Sequence, residues 1–239
     1  MSKKQAILIG LGSVYKRFID DRYNRLPGIS LKKSQFETFA DKLSSCGWKI
    51  DMLREENATR DDIITMLNKY LSQLTKGDEC LFYFTGHGDG FKVSTHTEIN
   101  EFFITYHQTL NSKLISNEIV TSYLLSDHDY TNLVYQYLNK GIRFISILDC
   151  CKAAGMINQL DRENHLLFAA SEKYSDAYVL GKLSHFTTAI NYAAEYCNSN
   201  NDFEKYIIKE LEELRPGQIP VINIPEHLGE ETQFLKMLT

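Results

Sequence analysis

The chain has 239 residues, 43% hydrophobic and 24% charged, enough for one sizeable α/β domain with a buried core and too few for a second full domain. With 26 Lys and Arg against 31 Asp and Glu the net charge is -5, and no dense basic cluster appears, so neither nucleic acid nor an anionic membrane is expected as a partner. No uninterrupted apolar stretch is long enough to span a bilayer, and Met1-Ser2-Lys3-Lys4 runs directly into an apolar segment, so the expectation is a soluble, cytoplasmic protein. Five cysteines, an odd number scattered through a chain that needs no staples, read as reduced thiols.

In chain order, the pattern predicts a strand over 5–10, a helix over 32–45 with Phe36, Phe39, Ala40 and Leu43 on one face, and a strand over 48–53. Thr59 then caps a helix whose first turn holds Asp61 and Asp62 and whose apolar face carries Ile63, Ile64, Leu67, Leu71 and Leu74. A strand over 80–85 follows Gly77-Asp78. An irregular stretch extends to about Glu101, followed by a short strand over 102–106 and helices over 116–125 and 130–139. Beyond Gly141 come a strand over 144–151, a mobile loop over 152–164, a strand over 166–170, helices over 184–196 and 203–214, and a last strand over 219–224. Six strands and about five helices in alternation make an open, mostly parallel sheet covered on both faces. No repeat or linker divides it.

Two of these strands end on reactive side chains. Leu81-Phe82-Tyr83-Phe84-Thr85-Gly86 stops at His87-Gly88-Asp89, and Phe144-Ile145-Ser146-Ile147-Leu148 stops at Asp149-Cys150-Cys151. In parallel strands the two ends lie together at the carboxyl edge, where open α/β sheets gather their reactive groups. A thiolate is the attacking form of cysteine, and a neighbouring imidazole supplies its base and stabilises it, so the pair reads as a cysteine hydrolase. Gly86 and Gly88 allow close backbone approach, and the Gly88 amide is a candidate oxyanion donor. Taken singly, each residue has a plainer reading: a turn histidine, and a cysteine packed as a small hydrophobe. Cys150 points to the opposite face of its strand and reads as a core thiol, as do Cys46, Cys80 and Cys197.

These motifs, together with Ala58-Thr59 ahead of a helix, Leu26-Pro27-Gly28, the run Leu166 to Ser171, Phe186-Thr187 opening a helix and Gln218-Ile219-Pro220, resemble the caspase-fold peptidases, in particular metacaspases and their bacterial relatives. The resemblance covers nearly the whole chain. It implies a three-layer α/β/α sandwich in one domain over 1–239, with a large-subunit-like part over 1–155, the loop over 152–164 and a small-subunit-like part over 165–239. It implies a Cys151–His87 dyad, an oxyanion held by the amides of Gly88 and Cys151, and a substrate pocket involving Asp149 and Ser171 that takes Arg or Lys before the cut. Departures stand out: Lys152-Ala153-Ala154-Gly155 replaces the usual residues after the nucleophile, and where a second pocket acid is usual there is Lys32 or a gap. His107-Gln108 replaces a further aspartate of the family pattern.

The resemblance further implies a protein or peptide substrate, a monomer or a homodimer joined through the strand near Ile219, and activation by a protein partner or by a cut in the loop, at Lys152 or Arg162. The setting by analogy is a bacterial stress or defence pathway. No cofactor is expected, although some relatives are calcium-activated. No metal site is expected, because the cysteines and histidines lack paired-ligand spacing. The competing expectation is a catalytically degenerate scaffold, which the altered Lys152 turn favours.

Overall fold

A computed structural model describes residues 2–12, 33–92, 99–106, 124–157, 163–180, 183–231 and 234–235. The main sheet is built from β1 (Lys4–Gly10), β2 (Lys49–Arg54), β3 (Glu79–Thr85), β7 (Arg143–Asp149), β8 (His165–Ala169) and β11 (Val221–Asn223), in the spatial order β11-β8-β7-β3-β1-β2. All neighbours are parallel except β11, which runs antiparallel to β8 at the edge. The central strands are buried on both faces, which is why their sequences are continuous apolar runs rather than alternating ones.

Alternate residues of each strand enter different cores. Cys80, Phe82, Phe84, Phe144 and Leu148 pack against α2 (Arg60–Leu71) and α3 (Asp127–Leu138). Leu81, Tyr83, Ile145 and Ile147 pack against α1 (Lys33–Ser45), α4 (His185–Tyr196) and α5 (Asn200–Leu214). This is a three-layer α/β/α sandwich of the caspase type. Four helices begin with a side-chain cap, in which Thr59, Ser126, Ser184 and Ser199 accept from the amides of Asp62, Asp129, Thr187 and Asp202.

Several elements differ from the expectations. The stretch after His87 is not irregular throughout: β4 (Gly88–Lys92) and β5 (Ile99–Phe103) pair antiparallel, with β6 (Leu125–Ser126) as a third strand. The Gly-Asp-Gly sequence hides this because its β-propensity is low; cross-strand and core packing override it, with the Phe103 ring stacked on Phe84 at 4.2 Å. Within the expected mobile loop, 153–157 form a short 3₁₀ helix whose Ala153 and Met156 are buried in the core. Leu125 lies in a strand; the rest of the helix expected over 116–125 lies outside the described residues, apart from Leu124. A short antiparallel pair, β9 (Val179–Leu180) and β10 (Leu183–Ser184), leads into α4.

One buried polar chain crosses the α2/α3 core. Tyr130 Oη and Ser146 Oγ are 2.8 Å apart, as are Ser146 Oγ and His165 Nε2. Burial pushes the His165 imidazole down to about 3, so it stays neutral. Ser146 and His165 are closed to solvent and form a structural pair.

Candidate active site

The β3–β7 ladder fixes the reactive end of the sheet. Phe84 faces Leu148 and Thr85 faces Asp149 across it, and the Gly86 amide extends it by donating to Asp149 O at 3.3 Å. His87 and Cys151 each stand two residues beyond the Thr85–Asp149 rung, which places them at the same edge and height. His87 is half-buried, and its carbonyl accepts from the Ile104 amide at 3.0 Å, which ties the histidine turn to the end of β5. Gly88 sits so close to the Cys151 carbonyl that a Cβ there would collide with it and would also meet Cys150 Sγ at 3.0 Å. This close approach explains the glycine. Cys150 is buried in the α2/α3 core, while Cys151 is partly exposed. Cys46, Cys80 and Cys197 are buried.

The environment of the Cys151 thiol is not the acidifying one expected of a dyad. The Ala177 amide donates to Sγ at 3.4 Å, and Sγ lies 3.7 Å from Ala177 O. Burial, opposed by the Ala177 amide and Lys152 and reinforced by Asp176, pushes the thiol up to about 11. In this state burial keeps it a neutral thiol at neutral pH.

Lys152, the departure at the nucleophile turn, takes a left-handed backbone with φ 55°. Its Nζ lies 3.5 Å from Asp89 Oδ1 and 3.7 Å from Asp176 Oδ1, and its amide donates to Ser175 O at 2.8 Å. The following Ala153 is fully buried, so the Lys152–Ala153 bond is not presented for self-cleavage in this state. Arg162, Lys32, His107 and Gln108 lie outside the described residues.

Asp149 points into the other layer. Its carboxylate accepts from Ser184 Oγ at 2.7 Å, Thr187 Oγ1 at 2.6 Å and Thr85 Oγ1 at 3.4 Å. Burial raises its pKa above the ordinary carboxylate value, and the Ser184, Thr187 and Thr85 hydroxyls oppose that shift. Ser171, expected at the substrate pocket, is fully buried instead: its hydroxyl donates to Cys150 O and accepts from the Ala153 amide, both at 3.2 Å. It braces the nucleophile turn. Among the described residues no group of three or more His, Cys, Asp or Glu is placed to hold a metal ion, and no helix is long and apolar enough to cross a membrane.

Sequence reading missed the surroundings of this edge. Glu101, Lys173, Asp176 and Ala177 reach it from 50 positions upstream or some 20 downstream of Cys151, and no periodicity links such positions. Asp89 and Lys152 carried a signal, a carboxylate and an ammonium each near a reactive residue, but opposite charges at distant positions do not by themselves specify a pair.

The sheet order, the two helical layers and the histidine and cysteine at adjoining strand ends define a caspase-fold protein. The sequence matches the metacaspase, peptidase C14 domain over residues 27–160, more than half of the chain, and the chain belongs to that family of cysteine peptidases. Among solved structures, protein GSU0716 from Geobacter sulfurreducens, a structural genomics target, aligns with a TM-score of 0.72 at 16% identity, covering 98% of this chain and 100% of its own; the likeness is one of fold. A search of curated proteins finds no match.

Proposed function

We propose that this metacaspase-family chain is a cysteine endopeptidase whose nucleophile is Cys151 and whose general base and acid is His87. The imidazole takes the thiol proton as sulfur attacks the scissile carbonyl, the amides of Gly88 and Cys151 hold the oxyanion, and His87 returns the proton to the leaving amine. Water then hydrolyses the thioester along the same route. The observation that carries this reading is the Thr85–Asp149 rung, which brings the two residues to one edge, with Gly88 against the Cys151 carbonyl.

Asp149 supports a preference for Arg or Lys before the cut. It is a buried carboxylate at the end of β7, two residues before the thiol, and among the described residues hydroxyls are its hydrogen-bond partners, so a cationic side chain would be its complement. The covered thiol supports activation by a partner protein or by processing, in a stress or defence pathway. The same thiol is the observation that favours the second reading, a caspase-fold scaffold without catalysis.

A fluorogenic peptide library varied at the residue before the cut, offered to wild type and Cys151→Ala with and without calcium, tests both. Cleavage by wild type alone, strongest after Arg or Lys, is the expected result. No cleavage by a form whose Cys151 is shown to be reactive would leave the scaffold.

A further inference from the structure

Taking Cys151 as the nucleophile, the contacts around its sulfur bear on how a substrate reaches it. The segment 172–178, between β8 and β9, packs on the thiol: the Ala177 amide donates to Sγ at 3.4 Å, and the thiol donates to the Ala177 carbonyl at 3.7 Å. A short set of ties holds the segment in place. The Lys152 amide donates to Ser175 O at 2.8 Å, and the Lys152 ammonium reaches Asp176 while also reaching Asp89 of the histidine turn. Towards its two ends, Lys173 Nζ is 3.8 Å from Glu101 Oε1 and the Tyr178 amide donates to Gln218 Oε1 at 3.1 Å. The outer side of the segment is open: Glu172, Tyr174, Asp176 and Tyr178 are exposed, and none of its residues belongs to the buried core.

Lys152 stands out among these ties. Its left-handed backbone is one that side chains avoid and glycine takes freely, yet here it carries a long cationic side chain that bridges two carboxylates, one in β4 and one in the segment before β9. We propose that Lys152 is a positioning residue that fastens 172–178 over Cys151, so that the segment is a built-in cover which lifts before a peptide reaches the thiol.

The test is the rate at which iodoacetamide labels Cys151, located by peptide mass, in wild type, Lys152→Met, Lys152→Arg and Lys173→Met. Lys152→Met separates the cover from simple electrostatics by sign. The lysine charge lowers the thiol's proton affinity, so losing the charge alone would slow labelling. Loss of the fastening instead speeds it, by about fivefold for one partly buried ion pair. Lys152→Arg keeps the wild-type rate, and Lys173→Met, which leaves the nucleophile turn intact, also labels faster. Labelling of the core thiols Cys46 and Cys197 stays at the wild-type rate in every variant, which excludes general loosening. An unchanged or slower rate at Cys151 in folded Lys152→Met overturns the proposal; should that variant not fold, an unchanged rate in Lys173→Met does so. Labelling needs no turnover. Faster labelling without peptide cleavage therefore rejects the peptidase reading and keeps the cover, while cleavage by wild type with equal labelling in all four proteins does the reverse.

Discussion

Glu101→Gln reports on a carboxylate in an uncomfortable place. Glu101 is 1% exposed, neither of its oxygens has a hydrogen-bond partner among the described residues, and its chain packs against Gly155 so closely that a Cβ there would fall 2.5 Å from Glu101 Cγ. Burial pushes its carboxyl up from 4.5 to about 7, against the pull of Lys173 and with a smaller push from Asp127. The folded chain therefore holds this proton more tightly than the unfolded chain. Stability from this group is intact below about pH 4.5, declines as pH rises towards 7, and the loss is complete above 7. At about 1.4 kcal/mol per pH unit, the gap between 4.5 and about 7 amounts to ~3 kcal/mol. Glutamine keeps the shape and cannot ionise. Urea unfolding of both proteins at about pH 5 and about pH 8.5 should show the variant gaining 2 to 3 kcal/mol on wild type between the two, whatever fixed offset its amide introduces. A difference that stays constant across that range, or moves the other way, would show that Glu101 ionises near its ordinary value and that its burial is not as described.

Labelling of Cys151 in the wild-type protein should climb about tenfold per pH unit from pH 7 to 10 without a plateau, because the thiol's midpoint lies near 11; a plateau near neutrality would indicate an imidazole-paired thiolate. Tyr130→Phe leaves Ser146 with one partner fewer, His165 alone, and should cost about 1 to 2 kcal/mol in urea unfolding, and no loss would mean that the buried polar chain is not satisfied as drawn. Gly88→Ala forces a methyl against the Cys151 carbonyl, which is backbone and cannot swing aside, and should cost about 1 to 3 kcal/mol; a neutral change would refute the close approach.

The frame was legible in the sequence because it rests on local rules. Continuous apolar runs announced β3 and β7 as doubly covered strands, Thr59 announced the start of α2, and the residues that end those runs, His87 and Cys151, were readable because a reactive polar group at the tip of an apolar strand is itself a contrast. What escaped was whatever depends on contacts between distant positions. The β4–β5 hairpin begins with Gly88-Asp89-Gly90, which locally reads as a turn, and it becomes a strand because Phe102 and Phe103 bury their rings beside it. Ser171 was placed at the pocket by analogy, whereas its hydroxyl closes the nucleophile turn. The acidity of Cys151 was read from its presumed partner, whereas burial raises its thiol pKa and Ala177 and Asp176, some 25 residues downstream, are among its neighbours.

The Tyr130–Ser146–His165 chain has a consequence for how the strands find one another. Apolar side chains in a sheet accept many neighbours, so an all-aliphatic β7 would tolerate slipped pairings at modest cost. A slip of one residue would turn Ser146 into the opposite core, away from both the α3 phenol and the β8 imidazole, stranding three polar groups in oil. The chain thus works as a key cut for one alignment of β7 with β8 and α3. Because Cys151 hangs at the far end of β7, the accuracy with which that key is seated is passed along the strand to the sulfur.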